Sequence, residues 1–424
     1  MHHIHYHQGS LQVESVSLEE LAREHGTPLF VYSAGTIRAH YQRLTEALEP
    51  VPHRICYAMK ANSNLSVLRL LAELGGGFDI VSAGELYRVL QAGGKASSCT
   101  FAGVAKTVAE MEYALNEGIL CFNVESEAEL ARLDRVAQRL GKKAPFAIRV
   151  NPDVDAATHK YISTGKSENK FGIAFEQIAG LYQEAAKRPG LRAVGVQMHI
   201  GSQITKLDPF LEAIKRMRPL VLELHQLYGI EHFSIGGGLG IAYHDSLDAG
   251  VDAWWKDEES RIALPEYAAA VRHAVDGLPV EVILEPGRVL VGNAGVLVTR
   301  VEYVKQGPSK KFVIVDTGMH HLIRPALYEG YHEIVPLKEG SGAVERVDVV
   351  GPICESGDFL AQNRDMPVVQ EGDFLAVLSA GAYGFSMASN YNSHPMPAEV
   401  LVQGDQARVV RKRQSLEDLI AAEL

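Results

Sequence analysis

Four short stretches carry side chains whose types and positions could do chemistry. Lys60 ends the apolar run ICYAM, within YAMKANSN (57–64). A lysine is rarely buried at a strand terminus without a task. An amine that is partly desolvated or close to other cations becomes a nucleophile able to form a Schiff base. In SIGGGLG (234–240), Gly236, Gly237 and Gly238 let backbone N–H groups close on an anion such as a phosphate. LEPGR (284–288) supplies Glu285, a carboxylate able to keep a pyridine nitrogen protonated, and Arg288, a guanidinium able to grip a carboxylate in bidentate fashion. In MHIGSQ, the flat ring of His199 could stack on a planar cofactor and Ser202 could donate to a phosphate. Taken singly, each has an ordinary structural explanation: a snorkelling lysine, a flexible turn, an ion pair at a turn, a satisfied core histidine. Taken together they specify an aldehyde-bearing aromatic ring with a phosphate and a basic ring nitrogen, which is pyridoxal 5′-phosphate.

The elements that must position these groups are legible as an alternation. Eight short apolar runs, at 55–60, 78–82, 99–103, 121–126, 146–151, 194–200, 232–237 and 282–286, are separated by helix-period segments such as LSVLRLLAELGG and SEAELARLDRVAQRLG. Several of those segments close on the Gly expected just past a helix. Runs buried on both faces suit a parallel sheet, and eight β-α units in succession suit a (β/α)8 barrel. The polar and glycine residues fall at the C-terminal ends of the runs, where a barrel gathers its active site: Lys60, Asp79, Ser82, Gly103, Glu125, Asn151, His199, Gly236 to Gly238 and Glu285. Beyond about residue 290 the runs become short and β-branched, as in KFVIVD and RVDVVGP, which reads as an all-β domain. The opening HHIHYHQG and LQVESV read as a hairpin that joins it, and FVYS (30–33) as a link between the two. The expected division is therefore 34–290 for the barrel, with 1–33 and 291–424 for the β domain. The polar stretch 158–170 follows a strand end and is expected to form an active-site lid.

Composition excludes several classes. A net charge of -11 over 424 residues argues against nucleic acid as the main partner. No apolar run approaches the roughly 20 residues of a membrane helix, and the opening MHHIHYHQGS has no apolar core, so neither membrane nor leader is expected. The four cysteines form no CxxC pair, which indicates neither a zinc knuckle nor a redox dithiol, and no metal site is expected. Cys56, Cys99 and Cys121 sit near strand starts and read as buried thiols. Cys354, in GPICESGD, stands among glycine, proline and acidic residues instead.

At these residues the chain resembles a known family. YAMKAN, FDIVSAGEL, FNVES, HIGSQI, GGGLG, EPGR, MHHLIRPALYEGYHEI, GPICESGDF and GAYGFSMASNYN read like the meso-diaminopimelate decarboxylases. These are fold-type III pyridoxal phosphate enzymes with an alanine-racemase-like barrel and a β domain. The resemblance covers nearly the whole chain, including the His-rich start. It implies Lys60 as the Schiff-base lysine and His199 stacked on the ring. It implies that Gly236, Gly237, Gly238 and Tyr383 hold the phosphate end, with Glu285 at the pyridine nitrogen and Pro286, Gly287 and Arg288 completing that motif against the cofactor. Arg288, Arg324, Tyr328 and Tyr383 would bind the substrate, the arginines at its distal carboxylate. Glu355 would meet the distal ammonium and Cys354 would donate the proton. A thiol suits that role, because an unperturbed pKa of about 8.5 leaves it mostly protonated at neutral pH. In such enzymes the CES segment enters the neighbouring subunit's site, so the resemblance also implies a homodimer. The implied reaction is decarboxylation of meso-2,6-diaminopimelate to L-lysine and CO2, the last step of lysine biosynthesis, in the cytoplasm.

Other readings meet specific residues. A sister decarboxylase for ornithine, arginine or carboxynorspermidine would want an acid in the distal pocket, whereas Arg324 in LIRPALY points to a second carboxylate. Alanine racemase would place a tyrosine opposite the lysine. A metal-dependent barrel hydrolase would use His-rich stretches such as HIHYH and His320–His321, yet no HxH ends the first barrel strand. A non-catalytic regulator would have no need of both Lys60 and Cys354.

Overall fold

Eight of the apolar runs form eight parallel strands: His53–Ala58, Gly77–Ile80, Cys99–Phe101, Cys121–Val124, Ala144–Asn151, Leu191–Met198, His232–Gly236 and Glu281–Leu284. Each pairs with the next in chain order, and the eighth returns to the first through Leu284 against Ile55. The sheet is closed, as a (β/α)8 barrel requires. The computed structural model describes residues 1, 3–155, 170–247, 264–340 and 342–424. Of the expected lid, 158–170, all but its last residue lies outside them.

The strands are apolar because both faces are covered; Phe78, Ile80, Phe101, Phe122, Val124, Ile148, Val196 and Phe233 are all completely buried. The helices between them start where the sequence supplies an oxygen for an unpaired N–H. Asn64 accepts from Ser66 ahead of Leu65–Glu73, Ser82 from Glu85 ahead of Ala83–Gln91, and Ser126 from Glu129 ahead of Glu127–Arg139. Thr107 and Glu110 form a reciprocal capping box at Val108–Glu117, which ends on left-handed Gly118.

The chain divides into two compact units. One comprises residues 41–240 and 260–287 and holds the barrel strands; the other comprises 1–40, 241–259 and 288–424. The second is built on sheets. Its N-terminal stretch is a three-stranded antiparallel meander, Ile4–His7, Ser10–Val13 and Val16–Ser17. The larger sheet runs in the order Phe359–Pro367, Val344–Val350, Lys311–Val315, Gly295–Gln306, Leu29–Ser33, Ala398–Gln403, Gln406–Arg411. Phe30–Ser33 is thus not a link but part of an interior strand, fully buried between Gly295–Gln306 and Ala398–Gln403. Its unbroken LFVYS run fits that position better than an exposed connection. Leu11, Val13, Leu29, Val31, Val296, Val298, Ala376 and Val400 form the core of this unit.

Candidate active site

In the barrel unit the groups with chemistry sit just past the strands. Lys60 lies in a single 3-10 turn, Met59–Ala61, with Met59 and Ala61 buried and its own side chain exposed. Its ammonium acts on Asp79, Glu85, His199 and Glu285, which places it among the polar groups at these strand ends. Asp79 is buried, accepts from Thr100 Oγ1 at 3.1 Å and is pushed up by burial, with Lys60 acting against that shift.

Glu285 follows the eighth strand and is 5% exposed. Three side chains donate to it: Ser234 Oγ at 2.8 Å, Gln197 Nε2 at 2.9 Å and Asn123 Nδ2 at 3.3 Å. Burial first, then the Asp79 carboxylate, lifts its pKa to about 7. A carboxyl so placed is held in orientation and lacks a compensating cation among those donors. A protonated ring nitrogen would supply one.

His199 follows the sixth strand. The Gly237 N–H donates to its Nδ1 at 3.2 Å, which requires that nitrogen to be unprotonated. Burial, then Arg149 and Lys60, hold the imidazole well below its ordinary pKa. The ring is therefore neutral, as suits stacking on a flat cofactor. The glycine run leaves no room for side chains. A Cβ on Gly237 would lie 2.0 Å from Glu285 O, and one on Gly238 2.3 Å from Gly201 O, where φ is also +104°. This close backbone approach, and a buried carboxylate held by three neutral donors, fit the phosphate and pyridine ends of pyridoxal phosphate.

In the other unit two guanidiniums form a second cluster. Arg288 is 6% exposed, donates to Tyr243 Oη and lies over the Tyr383 ring at 4.7 Å. Arg324, equally buried, opens the short helix Arg324–Tyr328 and lies over the Tyr243 ring at 4.3 Å. Its Nη1 donates to His332 Nε2 at 2.5 Å. Burial, and further down the order Arg288, lower Arg324 to about 10, while Tyr243, Tyr383 and Tyr328 oppose that shift. Tyr383 holds a left-handed backbone, φ 56°, rare for an aromatic residue. Two neighbouring buried cations faced by tyrosines make a strong site for an anion.

Cys354 and Glu355 are exposed on the loop of GPICESGD. Asp358 shapes that loop: it is buried and accepts the N–H groups of Ile353 at 2.7 Å and Met319 at 2.6 Å. The Cys354 N–H donates to Asn392 Oδ1 at 3.0 Å. Cys56, Cys99 and Cys121 are buried free thiols, as their strand positions suggest.

The structure thus gathers Lys60, His199, Gly236 to Gly238 and Glu285 on the barrel, and Arg288, Arg324, Tyr328 and Tyr383 in the sheet-rich unit. Sequence reading passed over the groups that hold them. Asn123, Gln197 and Ser234 are polar residues inside apolar runs, and that interruption was a usable signal, since alternate strand residues share a face. From the sequence, Arg149 and Lys106 carry no role, and Glu125 has only its place at a strand end. Glu125 takes Arg149 Nη1 at 2.8 Å together with the N–H groups of Gly103 and Gly172. Lys106 is buried against Glu129 at 2.7 Å and donates to the Gly103 and Asn123 carbonyls. Among the described residues no cluster of metal-ligating side chains occurs, and no helix is long and apolar enough to cross a membrane.

Comparison with known proteins identifies the family of the chain. The model of the family described as pyridoxal-dependent decarboxylase, pyridoxal binding domain, matches residues 34–292. The chain is 50% identical over 419 residues to a diaminopimelate decarboxylase of Pseudomonas aeruginosa, covering 99% of this chain and 98% of the relative. It is 50% identical over 416 residues to one of Vibrio cholerae, covering 98% and 97%. The solved structure of diaminopimelate decarboxylase from Helicobacter pylori complexed with L-lysine superposes with a TM-score of 0.89 at 42% identity, covering 96% of this chain and 98% of that one.

Proposed function

The chain belongs to the diaminopimelate decarboxylases of the pyridoxal-dependent decarboxylase family, and from that premise we infer that it converts meso-2,6-diaminopimelate to L-lysine and CO2. This is the last step of lysine biosynthesis. Pyridoxal 5′-phosphate, when bound, supplies a π system that accepts the electron pair left behind as CO2 departs. Lys60 would hold its aldehyde carbon and His199 one face of the ring. Ser202, Gly236 to Gly238 and Tyr383 would hold the phosphate end, with Pro286, Gly287 and Arg288 completing the EPGR contribution. Glu285 would keep the ring nitrogen protonated, a task supported by its three neutral hydrogen-bond donors.

The observation that carries the substrate assignment is the pair of buried guanidiniums, Arg288 and Arg324, sharing Tyr243. Such a pair wants a carboxylate that does not react. meso-Diaminopimelate brings one at its distal end; ornithine, arginine and lysine offered as substrates do not, and would leave buried charge unpaired. Tyr328 and Tyr383 would line that end. Glu355 would take the distal ammonium, and Cys354 would deliver the proton that replaces the lost carboxylate. Because Cys354 and Glu355 are exposed, we propose that they serve the active site of a second copy in a homodimer. Four free cysteines suit a reducing cytoplasm.

The deciding experiment measures CO2 release by the cofactor-loaded protein from meso-diaminopimelate, ornithine, arginine and lysine in parallel. Release from meso-diaminopimelate alone, with lysine as product, supports the assignment. Release from ornithine or arginine keeps the cofactor chemistry and removes the two-arginine reading. For the homodimer, mixing inactive Lys60→Ala with inactive Cys354→Ala should restore up to about a quarter of the parent rate, because about half of the dimers formed are mixed and each mixed dimer carries one intact site of its two. No recovery would place Cys354 in its own subunit's chemistry.

A further inference from the structure

Building on the substrate reading above, we propose that His332 is a positioning residue that makes the site selective for a second carboxylate. It does so by holding Arg324 through a neutral hydrogen-bond acceptor in place of an anion.

The protonation of His332 follows from its partners. The residue is completely buried. Its Nε2 lies 2.5 Å from Arg324 Nη1, and its Nδ1 lies 2.7 Å from Leu378 O. A guanidinium can only donate and a carbonyl can only accept, so the proton sits on Nδ1 and Nε2 is the acceptor. The imidazole is thus neutral. It stays neutral because burial and the charges of Arg324, Arg288 and Arg364 oppose a second proton. The Arg364 guanidinium also donates to the His332 carbonyl at 2.8 Å, and the Tyr243 ring meets the imidazole edge-on at 5.1 Å, so the ring is fixed on several sides.

The choice of an imidazole has a consequence for binding. A buried N–H needs an acceptor. Two guanidiniums elsewhere meet that need with carboxylates: buried Arg149 is paired with Glu125 at 2.8 Å, and the partly exposed Arg411 with Glu399. Those guanidiniums are satisfied and neutralised together. Among the described residues Arg324 has no carboxylate within ion-pair distance, and its acceptor is His332 Nε2. The donor is satisfied while the positive charge remains for an incoming anion. A carboxylate in the same place would leave a substrate carboxylate facing a neutral pair. Gly330 contributes space, since a Cβ there would come within 3.2 Å of Arg324 Nη2.

The test compares His332→Gln, which keeps a neutral acceptor, with His332→Glu, which adds the anion. Both are made in the cofactor-loaded enzyme and checked by thermal melting. Two readouts are needed: KM and kcat for meso-diaminopimelate, and the calorimetric Kd of L-lysine, whose own carboxylate would occupy the distal pocket. In the Glu variant KM and Kd should rise about 10- to 100-fold, the range for one lost charge-assisted hydrogen bond, with kcat within about threefold of the parent. The Gln variant should stay within about fivefold of the parent in both constants. A Glu variant that binds lysine like the parent overturns the proposal, and so does a Gln variant as weak as the Glu variant. If the Glu variant does not fold, His332→Leu against His332→Gln makes the comparison, because only Gln keeps an acceptor; equal KM values then overturn it. Were the parent to release no CO2 from meso-diaminopimelate, the substrate reading would fall. A weaker grip on L-lysine by the Glu variant than by the Gln variant would still support His332 as the holder of Arg324.

Discussion

Glu285→Gln separates what the buried carboxylate costs the fold from what it does in the reaction. Glu285 is 5% exposed, and burial followed by the Asp79 carboxylate lifts its pKa from 4.5 to about 7. A folded-state value above the unfolded one means that the folded chain binds the proton more tightly. The group's contribution then favours folding fully below about pH 4.5 and is lost as pH rises through about 7. A displacement of that size corresponds to about 3 kcal/mol against folding at pH 8, and to less than about 1 kcal/mol at pH 5. Glutamine has the same shape. Ser234 can go on donating to its oxygen, and Gln197, whose buried Oε1 has no hydrogen-bond partner among the described residues, can turn its amide to accept from the new NH2. The cofactor-free Gln variant should therefore unfold in urea with a stability about 2–3 kcal/mol above the parent at pH 8, and the gap should close towards pH 5. The cofactor-loaded variant should move the other way, with kcat down roughly 100-fold for loss of a preorganised electrostatic partner. A gap of equal size at pH 5 and pH 8, or a variant less stable than the parent at pH 8, would refute the reasoning.

Three further substitutions test separate parts of the structure. Lys60→Ala should abolish the absorbance of lysine-linked cofactor; cofactor that borohydride still fixes to the protein would show that another amine holds it. Cys354→Ala should keep that absorbance and lose about 10²- to 10⁴-fold in kcat, the usual contribution of a positioned acid, so a rate near the parent's would remove Cys354 from proton transfer. Lys106→Met strands the Glu129 carboxylate, which is buried with Lys106 at 2.7 Å, and should destabilise the protein by about 3–5 kcal/mol in urea unfolding. Adding Glu129→Leu should recover most of that loss, because the double variant leaves no unpaired buried charge.

The barrel was legible because its physics is local. Strands buried on both faces must be apolar, and the helices between them must stop. Runs such as FDIVS and CTFAG, with Gly118 and the serine and threonine caps, mark both events in the sequence itself. The closing pair, Leu284 against Ile55, joins positions more than half the chain apart and left no local mark; the count of eight units carried it. Leu29–Ser33 was harder. An isolated five-residue apolar run says that it is buried, and its partners lie at 295–298 and 398–402, far along the chain. Sheet neighbours of that separation are set by tertiary packing, which no short window contains.

For the site, legibility followed chemical demand. Lys60, Glu285 and Arg288 stand out because a charged side chain beside an apolar run needs a reason, whereas Arg324 was marked only by the family resemblance of LIRPALY. Asn123, Gln197, Ser234 and His332 are neutral, and a neutral polar residue inside a strand or turn has many ordinary explanations. What makes them matter is a partner distant in sequence: Asn123 reaches Glu285 across 162 positions and Gln197 across 88. Their chemistry is also conditional. An imidazole at 332 reads as one more buried histidine until Leu378 O fixes the proton on Nδ1 and leaves Nε2 to face a guanidinium. The charges announce where binding happens. The neutral groups around them decide how much of that charge survives burial, and this second property exists only once the chain has folded.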